Sequence, residues 1–340
     1  MIRFLLVILL CIGTFTGFAQ TGGTNIYDFL TITNSARVAA LGGKVVASPS
    51  DDVNLAFFNP ALLTEKQNGS ISLSYVDYLA DISIGYATYG FSIEDWGNFA
   101  VGMHYINYGK FQEANPDGTL TGATFNPAEY ALNIIWSKQL NENLHVGANI
   151  KPIFSSLENY KSFGMAMDAG VSYVSNSELF NAGFTIKNVG SQITSYYDDA
   201  PTEKLPFDVQ LGISQKLKHA PFRYYVTLHH LHKWDLGDTK TKKSSFGEQF
   251  TRHLNLGLEL VLSPNFSIRT GYNFLRKEEL KIKEKTSTVG LSWGFGFKVS
   301  RFRIDYGSAR YHLAGTTNFF TITTSVDELM GRKKRRYRRR

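Results

Sequence analysis

The sequence contains a ten-residue run, Asn265-Phe266-Ser267-Ile268-Arg269-Thr270-Gly271-Tyr272-Asn273-Phe274, that alternates residue by residue. Its even-numbered positions are apolar or amphipathic, and its odd-numbered positions are polar or glycine. Because successive side chains of a β-strand point to opposite faces, this run predicts a strand with one apolar and one polar face. A transmembrane β-barrel, apolar outside and polar inside, is built from strands of this kind.

The same alternation recurs along most of the chain. We count about fourteen runs, at residues 70–77, 82–91, 97–108, 128–139, 143–155, 163–175, 179–189, 206–217, 221–230, 252–262, 265–274, 286–297, 300–307 and 316–325. Most have about nine or more residues, enough for a tilted strand to cross an outer membrane. The pattern predicts an all-β fold, a transmembrane antiparallel outer-membrane barrel of about 14 strands.

The connectors between the runs differ in length in a regular way. Long connectors at 109–127, 190–205, 231–251 and 275–285 follow odd-numbered runs, and short ones follow even-numbered runs. The connector at 78–81 is an exception, being short after an odd-numbered run. Outer-membrane barrels have long loops outside the cell and short turns in the periplasm. The lengths therefore predict an even strand count, both termini in the periplasm and four large outer loops.

The N-terminus carries an export signal. Arg3 and the apolar residues 4–12 are followed by Gly17-Phe18-Ala19, which predicts a signal peptide over residues 1–19. The sole cysteine, Cys11, lies in this segment, so we expect no disulfide, thiolate metal site or cysteine nucleophile in the mature chain. No later stretch has about twenty uninterrupted apolar residues, so no transmembrane helix is expected.

The net charge of +7 is concentrated at the C-terminus. Residues 331–340 contain eight Lys or Arg and no acid, and subtracting these eight and Arg3 from +7 leaves −2. Such a tail suggests nucleic-acid binding in a cytosolic protein, but the export signal argues against a nucleic-acid partner here. We predict a basic periplasmic tail over residues 327–340, either solvated or in contact with an anionic partner or membrane surface.

The sequence has no recognisable catalytic constellation. It lacks a phosphate-binding loop, a Gly-x-Ser-x-Gly motif and a His-Glu-x-x-His motif, so we expect a protein that is not an enzyme and has no cofactor. His229-His230-Leu231-His232 has no acid or thiol at matching spacing, and we interpret it as a polar strand end rather than a metal site. Mixed charges on polar strand faces favour ion pairs in the lumen over a selective channel. They are Lys151, Asp168, Lys187, Asp208, Glu259, Arg269, Arg303 and Asp305.

Two segments outside the strands are candidates for function. Residues 20–69 do not alternate, and we predict that they form a plug in or under the lumen. Its candidate residues are Arg37, Gly42, Gly43, Asn59 and Pro60. The long loop at 109–127 is rich in glycine and aromatic residues, and it is either an ordered cover over the barrel mouth or a partner-binding loop. Its candidate residues are Tyr108, Phe111 and Phe125.

These segments resemble a known family. Ser35-Ala36-Arg37-Val38-Ala39-Ala40-Leu41-Gly42-Gly43, then Asp51-Asp52 and Asn59-Pro60-Ala61-Leu62, are similar to the N-terminal region of FadL-like outer-membrane barrels of Bacteroidetes. Gly22-Gly23-Thr24-Asn25-Ile26-Tyr27-Asp28-Phe29-Leu30 and the loop from Tyr108 to Phe125 resemble the PorQ family of the type IX secretion system. The resemblance covers essentially the whole mature chain.

The resemblance implies a FadL-like barrel of fourteen strands with an N-terminal plug over 20–69, a barrel over 70–326 and a tail over 327–340. It implies a non-enzymatic role in the outer membrane, anchoring the cell-surface attachment complex with PorZ-, PorU- and PorV-like partners. There, cargo loses its sorting signal and is joined to lipopolysaccharide. Two alternatives stay open: a FadL-like transporter of hydrophobic small molecules, and a PorV-like cargo shuttle.

Overall fold

The computed structural model describes residues 25–79, 82–197, 201–236, 245–279, 288–312 and 315–330. The predicted signal peptide and residues 331–340 of the predicted tail lie outside the described residues. Residues 327–329, which the sequence reading assigned to the tail, belong to a short helix that begins at Val326.

In the described part of the chain, fourteen antiparallel strands close into one barrel, and two further strands form a separate hairpin. The barrel strands are β1 Ser70–Asp77, β2 Ser83–Ile93, β3 Gly97–Asn107, β6 Ala128–Gln139, β7 Leu144–Leu157, β8 Tyr160–Val174, β9 Phe180–Thr194, β10 Asp208–Lys216, β11 Phe222–Leu228, β12 Leu254–Ser263, β13 Phe266–Asn273, β14 Leu291–Val299, β15 Phe302–His312 and β16 Gly315–Ser325. The hairpin strands are β4 Phe111–Ala114 and β5 Leu120–Phe125. The predicted fold is confirmed.

Closure of the barrel brings the first and last strands together. β1 pairs with β16, and Ser70 lies opposite Ser325. Every barrel strand is hydrogen-bonded on both sides, so the closed sheet leaves no open edge in the membrane. Along β12, Leu256 and Leu258 are exposed on the outer face, whereas Asn255 and Glu259 are buried on the inner face. The apolar residues of the alternation therefore face outward, as a lipid environment requires.

The long connectors lie at one end of the barrel, which we call the long-loop end. They follow β3, β9, β11 and β13, and consecutive barrel strands run antiparallel, so these four connectors share that end. The opposite end, the short-turn end, has the turns after the even-numbered runs of the sequence. The Val326 N–H donates to the Gly69 carbonyl at 2.8 Å, so the chain enters and leaves the barrel at the short-turn end.

Short helical elements occur within residues 25–69, in two of the long connectors and after β16. The α-helices are α1 Ala36–Ala40, α2 Phe246–Arg252, α3 Phe274–Glu279 and α4 Val326–Leu329, with 3-10 turns at Asp28–Thr31, Val53–Phe57, Pro60–Leu62 and Glu65–Gln67. α2 begins with a capping box, in which the Ser245 and Glu248 side chains each bond the other's backbone N–H. None of the helices in the described ranges is both long and apolar enough to span a membrane.

Candidate functional site: the barrel lumen and the long-loop end

The described N-terminal residues 25–69, here the N-terminal segment, lie on the inner side of the strands. α1 packs against β13, β14, β15 and β16, whereas the 3-10 turn Pro60–Leu62 packs against β6, β7 and β8. Val38 and Leu55 are almost fully buried in one apolar cluster with Tyr225 of β11. The segment therefore contacts walls on both sides of the lumen.

Inward-facing glycines mark where the N-terminal segment touches the wall. A Cβ added at Gly271 would lie 2.2 Å from the Gly42 nitrogen, and one at Gly170 would lie 1.9 Å from Asn59 Oδ1. A side chain at Gly271 would collide with the backbone of the segment and one at Gly170 with the Asn59 amide, so either substitution requires the segment to shift. A Cβ would also lie within 3.0 Å of the segment at Gly90, Gly102, Gly147, Gly164, Gly183, Gly212, Gly294 and Gly307.

Gly42 and Gly43, two predicted plug residues, form the turn that ends α1. Both have positive φ, +93° and +94°, and the Gly43 N–H donates to the Val38 carbonyl at 2.8 Å. The Gly42 N–H also donates to Ser292 Oγ of β14 at 3.0 Å, and Asn273 Nδ2 of β13 donates to the Gly42 carbonyl at 3.3 Å. The turn is thus hydrogen-bonded directly to the wall.

Asn59 and Pro60 hold the opposite side of the segment. Asn59 Oδ1 accepts the Ala61 N–H at 3.0 Å and so caps the 3-10 turn that begins at Pro60. Asn59 Nδ2 donates to the Val46 carbonyl at 2.9 Å and to the Val171 carbonyl of β8 at 3.1 Å. The Asn59-Pro60 pair therefore begins one 3-10 turn of the segment and fixes it to the wall.

Arg37 joins the N-terminal segment to a buried charge network. Its Nη2 lies 3.0 Å from Glu259 Oε2, and the Tyr225 hydroxyl donates to the same oxygen at 2.7 Å. Glu259 Oε1 accepts from Arg269 Nε at 2.7 Å, and Arg269 also contacts Asp305 at 2.5 Å. Two arginines and two acids are balanced in charge, so the network needs no mobile counter-ion.

A second charge cluster stabilises a β-bulge between β8 and β9. The regular pairing is interrupted between Met167 and Ala169, and Asp168 lies at the interruption. Asp168 Oδ1 accepts from Lys151 Nζ at 2.6 Å and from the Asn188 N–H at 2.8 Å. The carboxylate thus replaces the missing ladder contact. Both clusters agree with the interpretation that the lumen charges pair with one another.

The histidine cluster lies just beyond β11, under the connector to β12. His229 Nδ1 is 2.6 Å from His230 Nδ1, and the His230 N–H donates to Asp208 Oδ1 at 2.6 Å. His253 Nδ1 lies 2.7 Å from the His229 carbonyl. Within the described ranges, no group of three or more His, Cys, Asp or Glu side chains is arranged to hold a metal ion. The cluster connects the two ends of this connector.

Acidification is expected to loosen the connector between β11 and β12. Burial lowers the pKa of His230 to about 4 and that of His229 well below its ordinary value, although Asp208 opposes the shift. The unfolded connector thus binds more protons, and its stability is complete above about pH 6.5 and falls as the pH drops toward 4. Hydrogen exchange of residues 245–253, corrected for intrinsic rates, measures this loss. His230→Gln should weaken the pH dependence of this exchange. An unchanged pH dependence in the variant would contradict the role of His230.

At the long-loop end, the three residues predicted to bind a partner, Tyr108, Phe111 and Phe125, lie in two different places. The Tyr108 hydroxyl donates to Glu129 and its N–H donates to the Pro127 carbonyl at 3.0 Å, so Tyr108 fixes the base of the loop. Phe111 is 47% exposed, and its ring stacks on Phe125 at 5.8 Å between centroids. Phe111 and Phe125 therefore lie on the projecting hairpin, whereas Tyr108 is anchored at its base.

The sequence reading missed the hairpin itself, treating 109–127 as a loop. Asn115-Pro116-Asp117-Gly118 is a turn sequence with a sufficient physical signal: proline presets φ, aspartate bonds the local backbone and glycine accepts positive φ. Gly118 has φ +85° and Asp117 Oδ1 accepts the Thr119 N–H at 2.9 Å. Also missed was the exposed aromatic pair on the connector between β11 and β12, where the ring centroids of Trp234 and Phe246 of α2 lie 5.1 Å apart.

Comparison with known proteins identifies the family. The family model for the type IX secretion system protein PorV matches residues 19–220, which is more than half of the 340 residues. The chain belongs to the PorV family. This supports the predicted type IX secretion barrel of the outer membrane. None of the curated proteins compared with this PorV-family chain matches it.

Solved structures share the fold of this PorV-family barrel. The toluene transporter TbuX of Ralstonia pickettii is 12% identical with a TM-score of 0.53, over 88% of this chain and 100% of TbuX. The toluene transporter TodX of Pseudomonas putida is 13% identical with a TM-score of 0.53, over 89% of this chain and 98% of TodX. The CymD monoaromatic hydrocarbon channel is 14% identical with a TM-score of 0.53, over 87% of this chain and 98% of CymD. At these identities the likeness concerns the fold alone.

Proposed function

We propose that this PorV-family barrel is a PorQ-like, non-enzymatic anchor of the cell-surface attachment complex, with PorZ-, PorU- and PorV-like partners bound at its long-loop end. The observation that carries the proposal is the N-terminal segment, which contacts the wall on both sides of the lumen through hydrogen bonds and a charge-balanced network. A lumen filled in this way supports binding at the rim rather than passage through the barrel.

In this proposal Arg37, Gly42, Gly43, Asn59 and Pro60 are the residues that hold the plug. The long-loop end faces the cell exterior and both termini are periplasmic, which agrees with the loop asymmetry of outer-membrane barrels. Phe111 and Phe125 then lie outside the cell, where a partner can reach them. Lys240, Lys242 and Lys243 of the 231–251 connector lie outside the described residues, and their charge is complementary to lipopolysaccharide phosphates.

A second candidate is a PorV-like cargo shuttle, which the family match itself favours. It uses the same long-loop end but binds secreted cargo in place of a stationary complex. The transporter alternative takes its support from the shared fold of TbuX and TodX. It requires a route past the N-terminal segment, so the wall contacts at Gly271 and Gly170 count against it.

Deleting the gene is expected to release cargo from the cell surface, because the attachment complex would lose its anchor. Surface-attached and released cargo would be measured by fractionation and immunoblotting. A mild-detergent pull-down of the tagged barrel should recover a PorZ-like protein. Normal cargo attachment in the deletion strain would rule the anchor out.

Replacing the hairpin tests where the partner binds. A Gly/Ser linker in place of 111–125 should abolish recovery of the partner, whereas substitutions in the short turn at 141–142 should not. Recovery of cargo with its sorting signal, and of no PorZ-like protein, would favour the shuttle. Uptake of labelled toluene or fatty acid that depends on the barrel would favour the transporter.

A further inference from the structure

The hairpin β4–β5 stands apart from the barrel sheet. In the described part of the chain its strands pair with each other and with no third strand. All its strand residues are exposed except Glu113 and Phe125, which are half-buried. An isolated two-stranded hairpin is at best marginally stable in water, so a further paired strand would stabilise this one.

The turn of the hairpin determines which backbone groups point outward. The Gly118 N–H donates to the Asn115 carbonyl and the Asn115 N–H donates to the Thr119 carbonyl, both at 2.8 Å. This is a three-residue hairpin loop with glycine in the left-handed region. Because Asn115 and Thr119 are hydrogen-bonded across the hairpin, the next pair, Ala114 and Leu120, directs its N–H and C=O groups away from the partner strand.

The two free edges of the hairpin differ in length and charge. β5 has six residues and no charged side chain, whereas β4 has four, contains Glu113 and follows Lys110. Edge strands are usually protected by charges, proline or bulges, and β5 contains no charge or proline. Gly122 has φ +82° and no atom within 4 Å of a Cβ position, so no other part of the described chain covers this side of β5 at that residue.

We propose that the free edge of β5, Leu120–Phe125, binds an extended segment of a partner protein as a third strand of the hairpin. Another strand would pair with its outward N–H and C=O groups, beginning at Leu120, as an extended peptide does when it adds to a sheet edge. The irregular register between Gln112 and Ala114 and the positive φ of Gly122 restrict the added strand to a short one. This mode of binding does not depend on the proposed function. Only the identity of the partner rests on the proposed function.

Proline substitution distinguishes the two edges. Leu120→Pro removes an outward N–H from β5 while leaving the β4–β5 hydrogen bonds intact. Ala114→Pro makes the same change on β4 and is the matched control, and Leu120→Val keeps both the N–H and an apolar side chain. Each full-length barrel would be purified in mild detergent from native outer membranes together with its bound proteins, and heat-modifiable gel mobility would verify folding.

We expect Leu120→Pro to reduce the bound protein by about tenfold, because it leaves a carbonyl of the added strand unpaired. Ala114→Pro and Leu120→Val should retain the wild-type amount. In the wild-type complex, amides of 119–125 should exchange more slowly than in the barrel stripped of bound proteins, whereas those of 111–114 should not change.

Several results would overturn the β5 edge as a binding site. One is that Leu120→Pro retains the full amount of bound protein. Another is that binding slows hydrogen exchange equally in β4 and β5, or in neither. A third is that no protein co-purifies with the wild-type barrel. Mass spectrometry of the bound protein tests the proposed function separately. A protein unrelated to secretion that protects β5 would contradict the proposed function alone. A secretion component that binds without slowing hydrogen exchange in β5 would contradict only the proposed binding at the β5 edge.

Discussion

Gly271→Val is expected to expel the N-terminal segment from the lumen while the barrel stays folded. The new side chain would begin 2.2 Å from both the Gly42 nitrogen and the Leu41 carbonyl carbon, which are backbone atoms without freedom to rotate away. Overpacking of this kind commonly costs about 1–3 kcal/mol, and backbone contacts raise the cost. Valine itself favours β13, so the cost falls on the segment and not on the strand.

Limited trypsin digestion measures the displacement, because Arg37 is buried in the folded protein and would become a cleavage site. Planar-bilayer conductance gives a second measurement, which should rise if the segment closes the lumen. Gly85→Val is the matched control, since a Cβ at Gly85 has no atom within 4 Å. A variant that resists trypsin at Arg37 as well as wild type does would contradict the expected displacement.

Glu259→Gln is expected to lower the free energy of unfolding by about 3–5 kcal/mol, the usual effect of removing one partner from a buried ion pair. Glu259 is the acid between Arg37 and Arg269, and both guanidinium groups are almost fully buried. Among the described residues, its loss leaves Arg37 with no acid at ion-pair distance, whereas Arg269 keeps Asp305. Denaturant unfolding of the barrel in detergent, followed by tryptophan fluorescence, gives the free-energy difference.

Removal of Arg37 should relieve much of this loss. In the double variant Arg37→Met/Glu259→Gln, the remaining Arg269–Asp305 pair is balanced, so the two changes should be strongly non-additive. Lys66→Ala is the control, because it removes an ion pair at the surface. Lys66 Nζ lies 3.2 Å from Glu178 Oε1, and the two side chains are 54% and 41% exposed. This variant should change the free energy of unfolding by less than about 1 kcal/mol. Additive losses in the double variant would show that the network does not act as a unit.

These two variants also bear on how the protein works. If the N-terminal segment is a fixed plug, displacing it should increase conductance yet leave partner binding at the β4–β5 hairpin unchanged. A transporter would instead require the segment to move during its normal activity. The hairpin and the lumen are thus separable, and each can be altered without the other.

The barrel could be predicted because its signals are local. The alternation in Asn265–Phe274 predicted β13, which the structure has at Phe266–Asn273, and run 128–139 coincides with β6. Strand period, run length and connector length are each contained in a few consecutive residues. The same local rules could have predicted the hairpin from Asn115-Pro116-Asp117-Gly118, had that turn been weighed against the length of its loop.

The contacts of the N-terminal segment could not be derived in this way. Arg37 and Glu259 are separated by 222 residues, and nothing near either one specifies the other as its partner. The sequence indicated which glycines and charges face inward, because alternation assigns each residue to a face. Which of them meet depends on barrel closure, since only the closed sheet brings β8 and β13 around one chain segment. The alternating pattern thus established a membrane barrel, and packing across the lumen decided which wall residues the N-terminal segment contacts.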